Sequence, residues 1–205
     1  SLLAEALGLF GDTPERRHAL TALGSVRAAQ RDTQGALAAW QEALLLHRAA
    51  RPAEVASEPP APWVEGQSRL GEGDVAAEAR VLGSIAQMHL DAGQIGLATP
   101  AFEEARQVAA RVQDFDARAH AAWGLARCKI ADGDLDGAVA PLRDCIHWIE
   151  ARRMVLRRDE AKVRYLGGRA DVYALLISLH VDRAKKAWKD ALDVAERGRG
   201  TALRD

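Results

Sequence analysis

Apolar residues fall three and four apart through most of the chain, and small side chains hold fixed places among them. That spacing predicts amphipathic helices, because residues three and four apart share one helix face. One arrangement recurs. It reads Leu23, Gly24, then Ala36, Trp40 and Ala43. It returns as Ile85, Ala86, Gly93, Ala98, Phe102 and Ala105, and again as Leu125, Ala126, Gly133, Ala138, Leu142 and Cys145. The small residue of each first helix (Gly24, Ala86, Ala126) lets a partner helix cross closely. On the second helix a small residue faces that crossing (Ala36, Ala98, Ala138). A bulky one inserts four positions later (Trp40, Phe102, Leu142). These nine positions are expected to define the packing of stacked helix pairs.

Turn signals fall between the paired patterns. Asp91-Ala92-Gly93-Gln94 and Asp132-Gly133-Asp134 separate first from second helices, and Gly11-Asp12-Thr13-Pro14 ends one helix and opens another. In these residues the chain resembles the tetratricopeptide repeat, a helix-turn-helix unit. The resemblance implies an all-α fold: a right-handed α-solenoid of antiparallel helix pairs, ending in a helical hairpin. Ala98 to Ala138 spans 40 residues, longer than the usual unit of about 34, and is similar to the long-helix variety of bacterial signalling proteins. Ala36 to Ala98 spans 62, which leaves a 22-residue insertion around 48–70 that carries Pro52, Pro59, Pro60, Pro62 and Trp63. Prolines at that density exclude a regular helix. The insertion is either a surface loop or a segment lying in the array's own groove with Trp63 as anchor. The expected organisation is an array over 1–157, with a truncated unit at 1–10 and units near 14–47, 75–110 and 116–150. A hairpin follows over 158–205.

Residues 148–205 keep the helical pattern and lose the clean repeat. Trp148 to Arg153 runs into Arg164-Tyr165-Leu166 and Ala170-Asp171-Val172-Tyr173. A second helix carries Ala191-Leu192 and Ala195-Glu196-Arg197-Gly198-Arg199. This stretch resembles the hairpin upstream of the protease in bacterial CHAT proteins, which are caspase-like and separase-like peptidases behind tetratricopeptide arrays. The basic turn Asp182-Arg183-Ala184-Lys185-Lys186 departs from that family's Gly-containing turn. The resemblance implies a regulatory or sensor region for a downstream peptidase domain in cis. It carries no catalytic residue onto this chain, because the family's catalytic His and Cys lie in the following domain. The alternative is the sensor array of a bacterial transcription or signalling regulator.

Composition narrows the partners. Apolar residues make up 48% and aromatics only 5%, which suits packed helices over a sheet. The 28 Lys and Arg balance 29 Asp and Glu, so the chain has no general attraction for nucleic acid or a membrane surface. Two cysteines, Cys128 and Cys145, make no disulfide framework and fit a cytoplasmic setting. Ser1 in place of an initiator Met, and a helical pattern running to Asp205, lead to the expectation of a piece of a longer protein.

Candidate chemistry is sparse. Asp132 to Gly137 imitates the start of a calcium loop, but its twelfth position is Arg143 where a bidentate Glu is needed; turn and cap duty explains these acids better. The histidines His18, His47, His89, His120, His147 and His180 are scattered. No catalytic, cofactor or metal site is expected, and no cofactor. The basic pairs Arg152-Arg153 and Arg157-Arg158, and the Arg183, Lys185, Lys186 and Lys189 group, read as solvated faces or as docking faces for an acidic element. In the resembled family, first helices line a concave groove that holds a protein or peptide ligand. That implies groove positions at Thr21 and Ser25, at Arg80 and Gln87, and at His120, Trp123 and Arg127. The chaperone-tail binders' Lys-Asn pairing is missing there. Trp123 beside Arg127 is the best contact candidate; equally, Trp123 packs against a neighbouring repeat.

Overall fold

The computed structural model describes residues 13–50, 72–182 and 188–203. Among them are nine helices and no strand: α1 (Pro14–Ala29), α2 (Thr33–Ala50), α3 (Glu72–Asp91), α4 (Ile95–Ala109), α5 (Phe115–Ala131), α6 (Leu135–Val155), α7 (Asp159–Gly167), α8 (Ala170–Asp182) and α9 (Trp188–Leu203). The fold is all-α. The helix expected over 1–10, residues 51–70 of the Pro-rich insertion with Trp63, and residues 183–186 of the basic turn lie outside the described residues, while 48–50 of that insertion continue α2. Contacts divide the chain into two compact units, Ser1–Ala117 and Arg118–Asp205.

The three tight turns within helix pairs are built alike. Arg31, Gly93 and Gly133 all take positive φ, at 63°, 72° and 79°. Each donates its N–H to the carbonyl three residues back: Ala28 at 3.0 Å, Leu90 at 2.9 Å and Ile130 at 3.0 Å. The next residue donates to the carbonyl five back: Asp32 to Arg27, Gln94 to His89 and Asp134 to Lys129. This is the Schellman pattern, which satisfies the last carbonyls of the first helix and reverses the chain. Five residues beyond each left-handed residue stands the small residue of the second helix: Ala36, Ala98 and Ala138. Turn and packing therefore share one register. In the first and third turns an Asp also accepts from the backbone N–H three ahead, Asp32 from Gly35 at 2.9 Å and Asp134 from Gly137 at 2.8 Å. A Cβ on either glycine would fall about 2 Å from that carboxylate. The second turn has Gln94 and Leu97 at these places and no side-chain cap.

In the first unit α1 packs on α2, α2 on α3 and α3 on α4. Thr13 caps α1, accepting from the Arg16 N–H at 3.5 Å, with Pro14 in the first turn. Gly24 is buried, and Trp40 lies over it with only 4% of its surface exposed. The indole Nε1 donates to the Thr21 carbonyl at 3.2 Å. Ala36, Ala86, Ala98 and Phe102 are fully enclosed. An ionic cluster ties three helices together. Arg17 of α1 donates from Nη2 to Asp74 Oδ2 at 3.2 Å, and its Nε lies 3.1 Å from Oδ1. His47 of α2 places Nδ1 3.0 Å from Asp74 Oδ1 on α3. Beside it Arg48 donates to the buried Glu78 at 3.2 Å and pairs with Glu104 of α4. Buried charge survives folding when it is paired in this way.

In the second unit Ala122 and Ala126 of α5 meet Ala138, Leu142 and Cys145 of α6, and the same core continues into Val172, Leu176 and Leu179 of α8. Leu142 is fully enclosed; burying a side chain of that size contributes about 1.5–3 kcal/mol. The C-terminal stretch is more broken than its apolar pattern implies. Leu156 leaves α6 with extended backbone at φ −77° and ψ 126°, and the Gly167-Gly168 pair separates α7 from α8. Two adjacent glycines remove the propensity to continue a helix, and four arginines between 152 and 158 repel one another along a continuous one. The described hairpin is thus α8 with α9. None of the described α9 side chains, 192–199, is buried.

Candidate functional site

The candidate groove positions lie on first helices, and each unit carries its own set. In the first unit Thr21 and Ser25 sit one turn apart on α1, and Arg80, Ser84 and Gln87 follow at spacings of four and three on α3. Their short hydroxyls fold back: Thr21 donates to Arg17 O at 3.0 Å, Ser25 to Thr21 O at 3.2 Å and Ser84 to Arg80 O at 3.1 Å. Such bonds satisfy the hydroxyl proton and leave the oxygen lone pairs outward. The Arg80 side chain is 60% exposed; its Nε lies 3.5 Å from Asp114 Oδ2 and donates to Ala76 O at 3.2 Å. Gln87 donates its amide to Asp91 at 2.6 Å.

In the second unit His120, Trp123 and Arg127 lie along α5 at spacings of three and four. All three are half-buried. Trp123 packs against the core cluster that holds Ala119, Ala122 and Ala126. Burial lowers the pKa of His120, and the Arg127 guanidinium lowers it further; His120 is therefore a neutral imidazole near neutrality. Next to this helix Arg118 stacks on Trp148, its guanidinium carbon 4.5 Å from the ring centre, and His147 meets the same ring edge-on at 4.6 Å.

The buried Arg17–Asp74–His47 cluster has the members of an acid–base relay without the access. A paired carboxylate only accepts, so His47 Nδ1 carries the proton. Its Nε2, the atom that would act on a substrate, is buried and has no hydrogen-bond partner among the described residues. The cluster fastens helices. Sequence reading misses it because Arg17 and Asp74 are 57 positions apart. Asp134, in the calcium-like run, instead caps α6 and takes an ion pair from Lys129 at 3.1 Å. Cys128 and Cys145 are both buried; burial pushes the Cys145 thiol up to about 12. Among the described residues no group of His, Cys, Asp and Glu is placed to hold a metal ion, and no helix is long and apolar enough to cross a membrane.

No protein-family model and no curated protein matches the chain. Solved structures do. The apo form of RapI aligns over 98% of this chain and 61% of its own, with a TM-score of 0.66 and 13% identity. A putative kinesin light chain of Podosopora anserina with nearly identical TPR-like repeats aligns over 99% and 85%, with a TM-score of 0.56 and 15% identity. A second crystal structure of that protein gives 99% and 84%, a TM-score of 0.58 and 15% identity. The fold is that of tetratricopeptide-like helical-repeat solenoids. The chain spans about three-fifths of the RapI chain it matches.

Proposed function

We propose that this chain is a protein-interaction scaffold that takes a protein or peptide ligand along its first-helix faces. The observation that carries the reading is the division of labour on α1 and α3. Each keeps a row of polar side chains that stay exposed or half-buried, Thr21 and Ser25 on α1 and Arg80, Ser84 and Gln87 on α3, although α3 is otherwise largely buried between α2 and α4. Small hydroxyls and amides give a peptide backbone donors and acceptors at low entropic cost, and arginine is a frequent anchor at interfaces. The fold shared with tetratricopeptide-like structures is compatible with this role. In the second unit Arg127 is the stronger contact candidate on α5; Trp123, set against the core, serves mainly packing.

The finer reading is that the scaffold regulates a CHAT-type peptidase domain in cis. It rests on the resemblance of residues 148–205, the Ala195-Glu196-Arg197-Gly198-Arg199 run above all. The alternative is a sensor array of a bacterial transcription or signalling regulator, for which the long repeat period speaks. In either case the described residues serve binding, not catalysis, and the setting is the cytoplasm.

Site-specific photo-crosslinking separates the faces. A crosslinker at Arg80 or Gln87 should capture the ligand in cells. One at Leu45 or Leu97, exposed on the second helices α2 and α4, should not. Capture only from the second-helix positions overturns the proposal. Assay of the natural full-length polypeptide for iodoacetamide-sensitive proteolysis tests the finer reading; absence of such activity with ligand bound removes it and leaves the scaffold standing.

A further inference from the structure

The second unit contains a cleft of about 330 Å³ between α6, α8 and α9. Ile146, Leu176 and Val194 give it an apolar lining, and Arg143, His147 and Glu150 stand on its α6 side. Those three are spaced four and three apart, so one helix face addresses the cavity. On the α9 side Asp193 and Arg197 neutralise each other at 2.9 Å. The rim therefore carries both signs of charge around an apolar floor.

Tyr173 of α8 forms part of the wall. It is only 7% exposed, and its Oη is buried with no hydrogen-bond partner among the described residues. An unpaired phenol in the interior is a standing loss of stability that a bound acceptor would remove. Burial first, and the Glu150 carboxylate after it, push this phenol up to about 12. It is a hydrogen-bond donor at any physiological pH. Glu150, on the same cleft, is an acceptor suited to an ammonium group.

We propose that this cleft binds a free amino acid with an apolar side chain. Its carboxylate accepts from Tyr173 Oη on the guanidinium-bearing rim, its ammonium meets Glu150, and its side chain rests on Ile146, Leu176 and Val194. A balanced rim matches a zwitterion better than a ligand of one charge, and a free amino acid carries both charges on one carbon. This site is separate from the first-helix faces and does not depend on their ligand.

The test is a methyl-resolved NMR titration of the full 205-residue chain with L-leucine, 4-methylpentanoate and 3-methylbutylamine. Leucine should shift the Ile146, Leu176 and Val194 methyls saturably and bind more tightly than either singly charged analogue. Glu150→Gln should weaken leucine and the amine about tenfold and spare the carboxylate. Tyr173→Phe should weaken leucine and the carboxylate by a similar factor and spare the amine. No saturable shift with leucine overturns the proposal. So does an analogue that binds as tightly as leucine, or an equal loss for all three ligands in both variants, which would mark simple loosening of the unit.

Discussion

Adding one methyl group at Gly24 tests how the first helix pair is held. A Cβ built there falls 2.3 Å from Trp40 Nε1, 2.4 Å from Cδ1 and 2.7 Å from Cε2. All three atoms belong to a rigid indole, so no flexible end can swing aside. Trp40 is enclosed, and its Nε1 is bound to the Thr21 carbonyl. The ring must shift, which costs about 1–3 kcal/mol as overpacking, and the hydrogen bond it makes is worth about 1 kcal/mol. Alanine returns about 1 kcal/mol in helix propensity. The expected net loss is about 2 kcal/mol, a fall of about 4–8 °C in Tm for a chain of this size. Far-ultraviolet circular dichroism during thermal and urea unfolding reads it. In a Trp40→Leu background the obstacle is gone, and Gly24→Ala should then be neutral or stabilising. An unchanged or raised Tm for Gly24→Ala alone, or the same fall in both backgrounds, refutes the account.

Arg31→Gly is expected to stabilise the protein by about 0.5–1 kcal/mol, because a side chain in the left-handed region is strained where Gly93 and Gly133 are not; a lowered urea midpoint would contradict it. Burial lowers the pKa of both His47 and His120, so the unfolded chain takes up these protons first as pH falls. The stability they confer is complete above the unfolded value of about 6.5 and declines as pH drops through the folded values. Unfolding midpoints measured across that range should decline less steeply in His47→Gln and His120→Gln than in the parent; equal slopes exclude these groups as the cause. Cys128 and Cys145 should resist a disulfide exchange reagent in the native protein and react fully in urea; fast labelling of the folded chain would show the second-unit core to be open.

Helix pairing was legible because its signals are local. Spacings of three and four, with Gly93 and Gly133 at the reversals, mark the second and third pairs within a few residues of themselves. The first pair turns at Arg31, which announces nothing: its left-handed backbone follows from the same Schellman hydrogen bonds, with an arginine in the place of glycine. The breaks at Leu156 and at Gly167-Gly168 were hidden under an apolar pattern that runs on through both. Long-range chemistry was hidden altogether. Arg17, His47 and Asp74 meet across the Pro-rich stretch, and Tyr173 meets Glu150 and α9 only once three helices are folded. No spacing rule encodes either meeting. Among the expected groove positions Arg80 is exposed and Trp123 is half-buried against the core cluster, a difference that helix spacing alone does not encode.

Because α9 holds to its neighbours without one fully sunken side chain over 192–199, it should peel before α6 and α8, which carry the core, when the chain is heated or pulled. Amide protons there should trade with solvent far sooner than those of α6, and a force applied through it would be spent in lifting this one helix before the core beneath gives way.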